Sequence, residues 1–204
     1  LVARLAPSLG GRTLVLTTSL RALRGIAEHL GEQLAGSGLQ VLSQGQAPKG
    51  ELLERLRRGV AGGETGCVLV ASASFWEGVD IPGEALQLVV IDKLPFPPPG
   101  DPLVQARSAR LQAQGRSAFN DYHLPEAAVA LKQGAGRLIR SESDRGVLVI
   151  CDTRLVGMGY GRRLLQALPP MRRIEREEEV EALLRGLTTA STTDPAPWPE
   201  PTCP

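Results

Sequence analysis

Residues 133–141 read QGAGRLIRS, and they gather side chains suited to holding a phosphate. Gln133 offers an amide, while Arg137 and Arg140 offer rigid guanidinium forks that can grip phosphate oxygens two at a time. On a helix of about 3.6 residues per turn, positions i, i+4 and i+7 share one face, so the three groups are presented together. Leu131, Ala135 and Leu138 repeat that spacing on roughly the opposite side and are expected to pack inward. Gly134 and Gly136 each cost a helix about 1 kcal/mol relative to alanine. Gly136 lies on the polar flank, where a missing side chain lets a ligand or another backbone come close. Fixed guanidinium donors of this kind suit a triphosphate whose γ group gains charge during transfer. The alternative is that the arginines pair with neighbouring acids such as Glu126, Glu142 or Asp144.

A second stretch, SASFWEGVDIPG at 72–83, directly follows the apolar run CVLVA. Ligands of open parallel sheets sit beyond the carboxyl ends of the strands, which is where this loop falls. Ser72 and Ser74 can donate to a phosphate, and Gly78 permits a tight turn. Glu77 and Asp80 are acids able to meet a ribose hydroxyl, a metal-bound water or an arginine. Phe75 and Trp76 have packing as their more ordinary role.

The elements that must position these groups are legible as alternating patterns. Five short runs, TLVLT (13–17), LQVLS (39–43), CVLVA (67–71), LQLVVI (86–91) and GVLVICD (146–152), are apolar nearly throughout, as strands buried on both faces are. Helical segments separate them: one from Ser19, with Ser19 as its N-cap, one from Gly50, and one over 124–140 with Pro125 in its first turn. A further helix over about 102–117 falls inside a long insertion at 94–124. Two more helices are expected near the end, in GRRLLQAL and EREEEVEALLRGL. The order predicts an α/β fold, a parallel sheet with helices on both faces. It occupies residues 1–187, followed by a Pro- and Thr-rich tail at 188–204 too polar to order itself.

Composition narrows the options. With 204 residues and 42% hydrophobic content, one principal core is expected. Lys+Arg number 23 and Asp+Glu 22, a net charge of +1 that argues against nucleic-acid binding through bulk charge, so any basic surface is local. Three cysteines are widely spaced, and Cys67 and Cys151 sit in apolar runs where a buried thiol is ordinary, so neither a metal site nor a disulfide framework is expected. No apolar run reaches the 18 or so residues that span a bilayer, and the opening LVARLAPSLGG lacks the charged and apolar order of a secretory signal. A cytoplasmic setting without membrane contact is expected. The start, LVARLAPSLGG, has neither an initiator Met nor a capped element and reads as though cut from a longer chain.

Taken in order, these stretches resemble a known motif set. FWEGVDIPG is similar to motif V and QGAGRLIRS to motif VI of superfamily 2 helicases of the XPD and DinG type. VLTTSLRAL (15–23) is similar to motif IV, and DKLPFPPPGDP (92–102) to the segment between V and VI. The resemblance covers about residues 12–185 and is nearest to the bacterial DinG and YoaA-like branch. It implies the C-terminal, RecA-like motor domain of an ATP-dependent DNA helicase acting in repair or replication. It also implies 5′ to 3′ unwinding.

By position, the resemblance gives Arg140 the arginine-finger role, with Arg137 beside it on the γ-phosphate and Gln133 bonded to the same region. Either arginine can be the finger. Glu77, Gly78, Asp80 and Gly136 are then assigned to the nucleotide cleft, and Thr18, Ser19, Ser72 and Ser74 to the phosphates of single-stranded DNA. ATP and Mg²⁺ are implied to bind mainly on a partner N-terminal RecA-like domain of the same full-length chain, which also carries an iron–sulfur cluster. This sequence has neither a G-x-x-x-x-G-K-[ST] loop nor four clustered cysteines. Alone it is expected not to hydrolyse ATP.

Two other readings stand beside this one. The first is a RecA-like module that only binds nucleic acid or protein, against which the joint presence of Gln133, Arg137 and Arg140 weighs. The second is a self-sufficient α/β enzyme, for which His29 and His123 lie too far apart and no nucleophile elbow is present.

Overall fold

The computed structural model describes residues 1–61, 65–72, 75, 81, 85–139 and 144–189. The five apolar runs form strands β1 (Thr13–Thr17), β2 (Gln40–Ser43), β3 (Cys67–Ser72), β4 (Leu88–Ile91) and β5 (Val147–Ile150). They make one sheet in the order β2-β3-β1-β4-β5, with every neighbouring pair parallel.

Strand side chains alternate between faces, and the sequence uses both faces for core. Leu14, Leu16, Leu69, Ala71, Val89 and Ile91 belong to one apolar cluster. Val15, Val68, Val70, Leu88 and Val90 belong to the other. The first is covered by α3 (Lys49–Ala61), α5 (Leu124–Ala135) and α7 (Gly161–Ala167), through Leu52, Leu56, Leu131 and Leu164. The second is covered by α1 (Val2–Leu5) with the 3₁₀ turn Ala6–Leu9, α2 (Leu20–Gln33) and α8 (Glu177–Thr189), through Leu5, Leu9, Leu23, Leu30 and Leu184. The fold is α/β and RecA-like.

Between β4 and β5 the chain makes α4 (Pro102–Ala113), capped by Asp101, and a π-helical turn at Phe119–His123 that runs straight into α5. A short helix α6 (Arg154–Gly157) follows β5. Gly161 is required there, because a Cβ would lie 1.9 Å from the Leu155 carbonyl oxygen.

Two expectations are corrected. The helix expected over 124–140 ends at Ala135. From there Arg137 N–H bonds to Gly134 O and Leu138 N–H to Ala135 O, i to i+3 contacts of a tightened final turn. The expected α-helical face is therefore not continued past Ala135, and Arg140 lies outside the described residues. Cys151 is exposed while Cys67 is buried, because β5 is an edge strand and Cys151 sits just past its end. The last described element, α8, ends at Thr189, and residues 190–204 of the expected tail lie outside the described residues.

Candidate nucleotide and nucleic-acid site

The strands end level with one another. Thr17 pairs with Ser72, Leu16 with Ile91, and Ile91 with Ile150. Along the carboxyl edge of the sheet, Asp92 after β4 and Cys151 after β5 therefore come level with Thr17 and Ser72, and Thr18 follows one residue beyond. The ladder continues into this row, with Asp92 N–H on Leu16 O at 3.0 Å and Cys151 N–H on Ile91 O at 2.8 Å.

Thr18 and Ser19 are both exposed on this edge. Ser19 is extended (φ −150°, ψ 151°), and its hydroxyl oxygen accepts the Ala22 amide at 3.2 Å, which caps α2 as the sequence predicts. Capping uses a lone pair and leaves the hydroxyl proton to donate elsewhere. The first turn of α2 contains no acid. Its leading amides have no carbonyl within the helix to meet and carry the positive end of the helix dipole.

Ser72 ends β3 and is 9% exposed. Its amide and hydroxyl both donate to Gln44 Oε1, at 2.8 and 2.9 Å, so a phosphate contact from Ser72 would have to displace Gln44. Phe75 is buried in the core with the Lys49 ammonium 4.9 Å from its ring centre, the packing role expected of it. Ser74, Trp76, Glu77, Gly78 and Asp80 lie outside the described residues.

Gln133 is exposed on the last turn of α5, and Arg137 is half-buried in the turn that follows. Leu131, Ala135 and Leu138 are buried on the other side at 0%, 0% and 1% exposure, as their spacing predicts. Gly136 is exposed with φ −66°, so no left-handed conformation demands glycine here; a Cβ would lie 3.3 Å from Lys132 O.

The spacing of residue types did not single out the acids past β4 and β5. Asp92, Lys93, Cys151, Asp152, Thr153 and Arg154 line an open depression of about 360 Å³. Asp92 accepts the Thr18 amide at 3.1 Å. Burial raises the pKa of its carboxyl, against the lowering effect of the Lys93 and Thr18 amides. The Asp152 side chain is only 6% exposed and receives Arg154 Nη2 at 2.7 Å and the Leu94 amide at 2.9 Å. The hydrogen bond from Arg154 is the largest influence holding its pKa down to about 2. The Arg154 guanidinium also stacks 5.5 Å from the Phe96 ring centre. The available signal was an acid directly after each of two apolar runs.

Residues 2–171 match the family model described as a helicase C-terminal domain. The chain is 52% identical over 159 residues to the ATP-dependent DNA helicase YoaA of Haemophilus influenzae, covering 78% of this chain and 24% of that protein. The chain belongs to the helicase C-terminal domain family. The ATP-dependent helicase DinG of Mycobacterium tuberculosis is 39% identical over 189 residues, which cover 93% of this chain and 27% of that helicase. This helicase domain thus spans about a quarter of the length of either relative. The solved structure of Xpd4 from S. tokodaii, 20% identical, superposes with a TM-score of 0.54 over 83% of this chain and 33% of that one, and shares the fold.

Among the described residues no three His, Cys, Asp or Glu side chains gather as a metal-binding group, and no helix is long and apolar enough to cross a membrane. The chain has three cysteines in all, one fewer than a cluster held by four thiolates requires. Such a cluster does not fit this chain by itself.

Proposed function

We propose that this domain is the second motor domain of an ATP-dependent DNA helicase, completing an ATP pocket and carrying part of a single-stranded DNA track. The observation that carries this reading is the exposed pair Thr18 and Ser19 at the amino end of α2, on the same sheet edge as the loops after β4 and β5. Hydroxyls, first-turn amides and the helix dipole can hold backbone phosphates without base preference and without high net charge.

Gln133 and Arg137, with Arg140 beyond them, supply the donors a γ-phosphate needs as charge builds on it. One of the two arginines is the finger. Adenine, Mg²⁺ and the attacking water would be held by a partner RecA-like domain of the kind the longer relatives have room for, and the iron–sulfur cluster belongs there too. When bound, Mg²⁺ neutralises charge on the β- and γ-phosphates. The arginines orient and stabilise the transferring group from the other side. Glu77, Gly78, Asp80 and Gly136 are assigned to the cleft, where opening and closing with nucleotide state drives stepping, in the 5′ to 3′ direction. Ser74 joins Thr18 and Ser19 on the strand.

A titration of the purified chain with a fluorescent oligo-dT strand tests this reading. Weak, salt-sensitive binding without measurable ATP hydrolysis is expected. Robust hydrolysis by the chain alone would contradict the shared pocket, and absence of any binding at low salt would contradict the track.

A further inference from the structure

Asp92 is placed by the sheet itself. Its amide donates to Leu16 O, which sets it level with the exit of β1. Its carboxylate then crosses to β1 and accepts the Thr18 amide at 3.1 Å, a contact between residues 74 apart in sequence. The turn that leads from β1 into α2 is held by Thr18 N–H on Asp92, by the Ala22 amide on Ser19 Oγ, and by the Thr17 hydroxyl donating to Ser19 O at 3.2 Å. The segment after Asp92 is held in turn, because the Leu94 amide donates to the nearly buried Asp152.

We propose that Asp92 is a positioning residue for strand binding: through the Thr18 amide it fixes the Thr18–Ser19 turn in the conformation that meets a backbone phosphate. This rests on the reading of that turn as part of the DNA track. Asp92 makes no contact with the strand itself. An acid at this place repels a phosphate nearby, so what binding needs from it is the acceptor oxygen and not the charge. Asparagine supplies the same acceptor without the charge.

Among the described residues, the charged and titratable groups around Asp92 are Lys93 on its own segment, Cys151 and Asp152 at the exit of β5, and Arg154 on α6. The β1 turn contributes amides and hydroxyls. Burial raises the pKa of Asp92, and the neighbouring Asp152 pushes in the same direction. A protonated carboxyl still offers its carbonyl oxygen but accepts an amide proton less strongly than a carboxylate, so the environment of the Thr18 amide changes as pH falls through the titration of Asp92.

Amide NMR of the chain tests the proposal at separate points. In the unaltered chain the Thr18 amide signal should titrate with the Asp92 carboxyl, at a midpoint above that of an ordinary aspartate; a Thr18 signal indifferent to pH overturns the proposal without recourse to any variant. Hydrogen exchange at Thr18 should speed up about tenfold in Asp92→Ala and stay near the original rate in Asp92→Asn. Unchanged exchange in Asp92→Ala, or an equal rise in both variants, also overturns it. Oligo-dT should shift the Thr18 and Ser19 signals and bind Asp92→Ala several-fold more weakly, while Asp92→Asn binds at least as tightly as the unaltered chain. Unshifted Thr18 and Ser19 signals would defeat the premise that the turn contacts DNA, and unweakened binding by Asp92→Ala would defeat the positioning role itself.

Discussion

The Leu138 side chain closes over the bare Cα of Gly146. A Cβ at Gly146 would lie 2.4 Å from Leu138 Cδ1 and 2.8 Å from the Gln87 carbonyl oxygen. The turn that carries Arg137 is thereby seated against the entry to β5, where Val147 N–H also bonds to Gln87 O at 2.8 Å. Gln87 is held by Arg12 Nη1 at 3.0 Å.

Gly146→Ala therefore forces either Leu138 or the strand entry to move. Overpacking of this kind costs about 1–3 kcal/mol, and because Arg137 directly precedes Leu138 the variant should also disturb the arginine. A lowered Tm of the chain, with weakened ATP turnover in the full-length protein, is the expected pair of results. A variant with unchanged Tm would show that the contact is relieved without cost.

Ser19 separates two roles that one substitution would otherwise confuse. Ser19→Ala removes the cap of α2 and should cost about 1 kcal/mol. Ser19→Asp keeps a capping oxygen and should preserve stability, while its charge repels a phosphate at the same place. Denaturant melts and oligo-dT titrations of both variants should show Ser19→Asp stable but impaired in binding, most clearly at low salt.

Asp152 gives a pH signature with a definite sign. Its pKa is depressed from the ordinary aspartate value to about 2, so its stabilising contribution is full above the unfolded-state value. It is lost as pH falls from roughly 4 towards 2. Arg154 is half exposed, so solvent screening leaves the contribution at about 1–2 kcal/mol. Asp152→Asn should lower stability at neutral pH and flatten the dependence across that acid range. Equal slopes for the two proteins in acid melts would contradict this assignment.

Leu131 is fully buried in the cluster between α5 and the sheet. Leu131→Ala should cost about 2–5 kcal/mol by transfer and cavity terms together, measurable as a shift in urea midpoint at constant slope. A shift no larger than that of an exposed substitution would mean that α5 is not anchored there.

The sheet was legible because its inner strands are buried on both faces. TLVLT and CVLVA leave no room for another reading, and strand limits moved by no more than two residues. The carboxyl-edge location of Thr18 and Ser19 followed from that, with Ser19 as cap. Periodicity carried α5 five residues too far, since it registers side chains and has no term for backbone bonds switching from i+4 to i+3 after Gly134. The exposure of Cys151 depended on β5 lying at the edge, a matter of strand order that no local pattern encodes. Asp92 and Asp152 were passed over for a related reason: each looks like a lone acid after an apolar run, and their partners Thr18 and Leu94 are brought near only by the parallel register. The α6 helix and the π turn at Phe119–His123 are short and leave no period to detect.

The central claim is that Gln133 and the two arginines complete a nucleotide pocket whose other half lies on a second domain. Steady-state ATP turnover by the full-length protein carrying Arg137→Ala or Arg140→Ala, paired with direct measurement of ATP binding, tests it most directly. Turnover should fall by about 100-fold or more in at least one of the two variants, with ATP affinity changed far less. Turnover near the unaltered rate in both would contradict the claim.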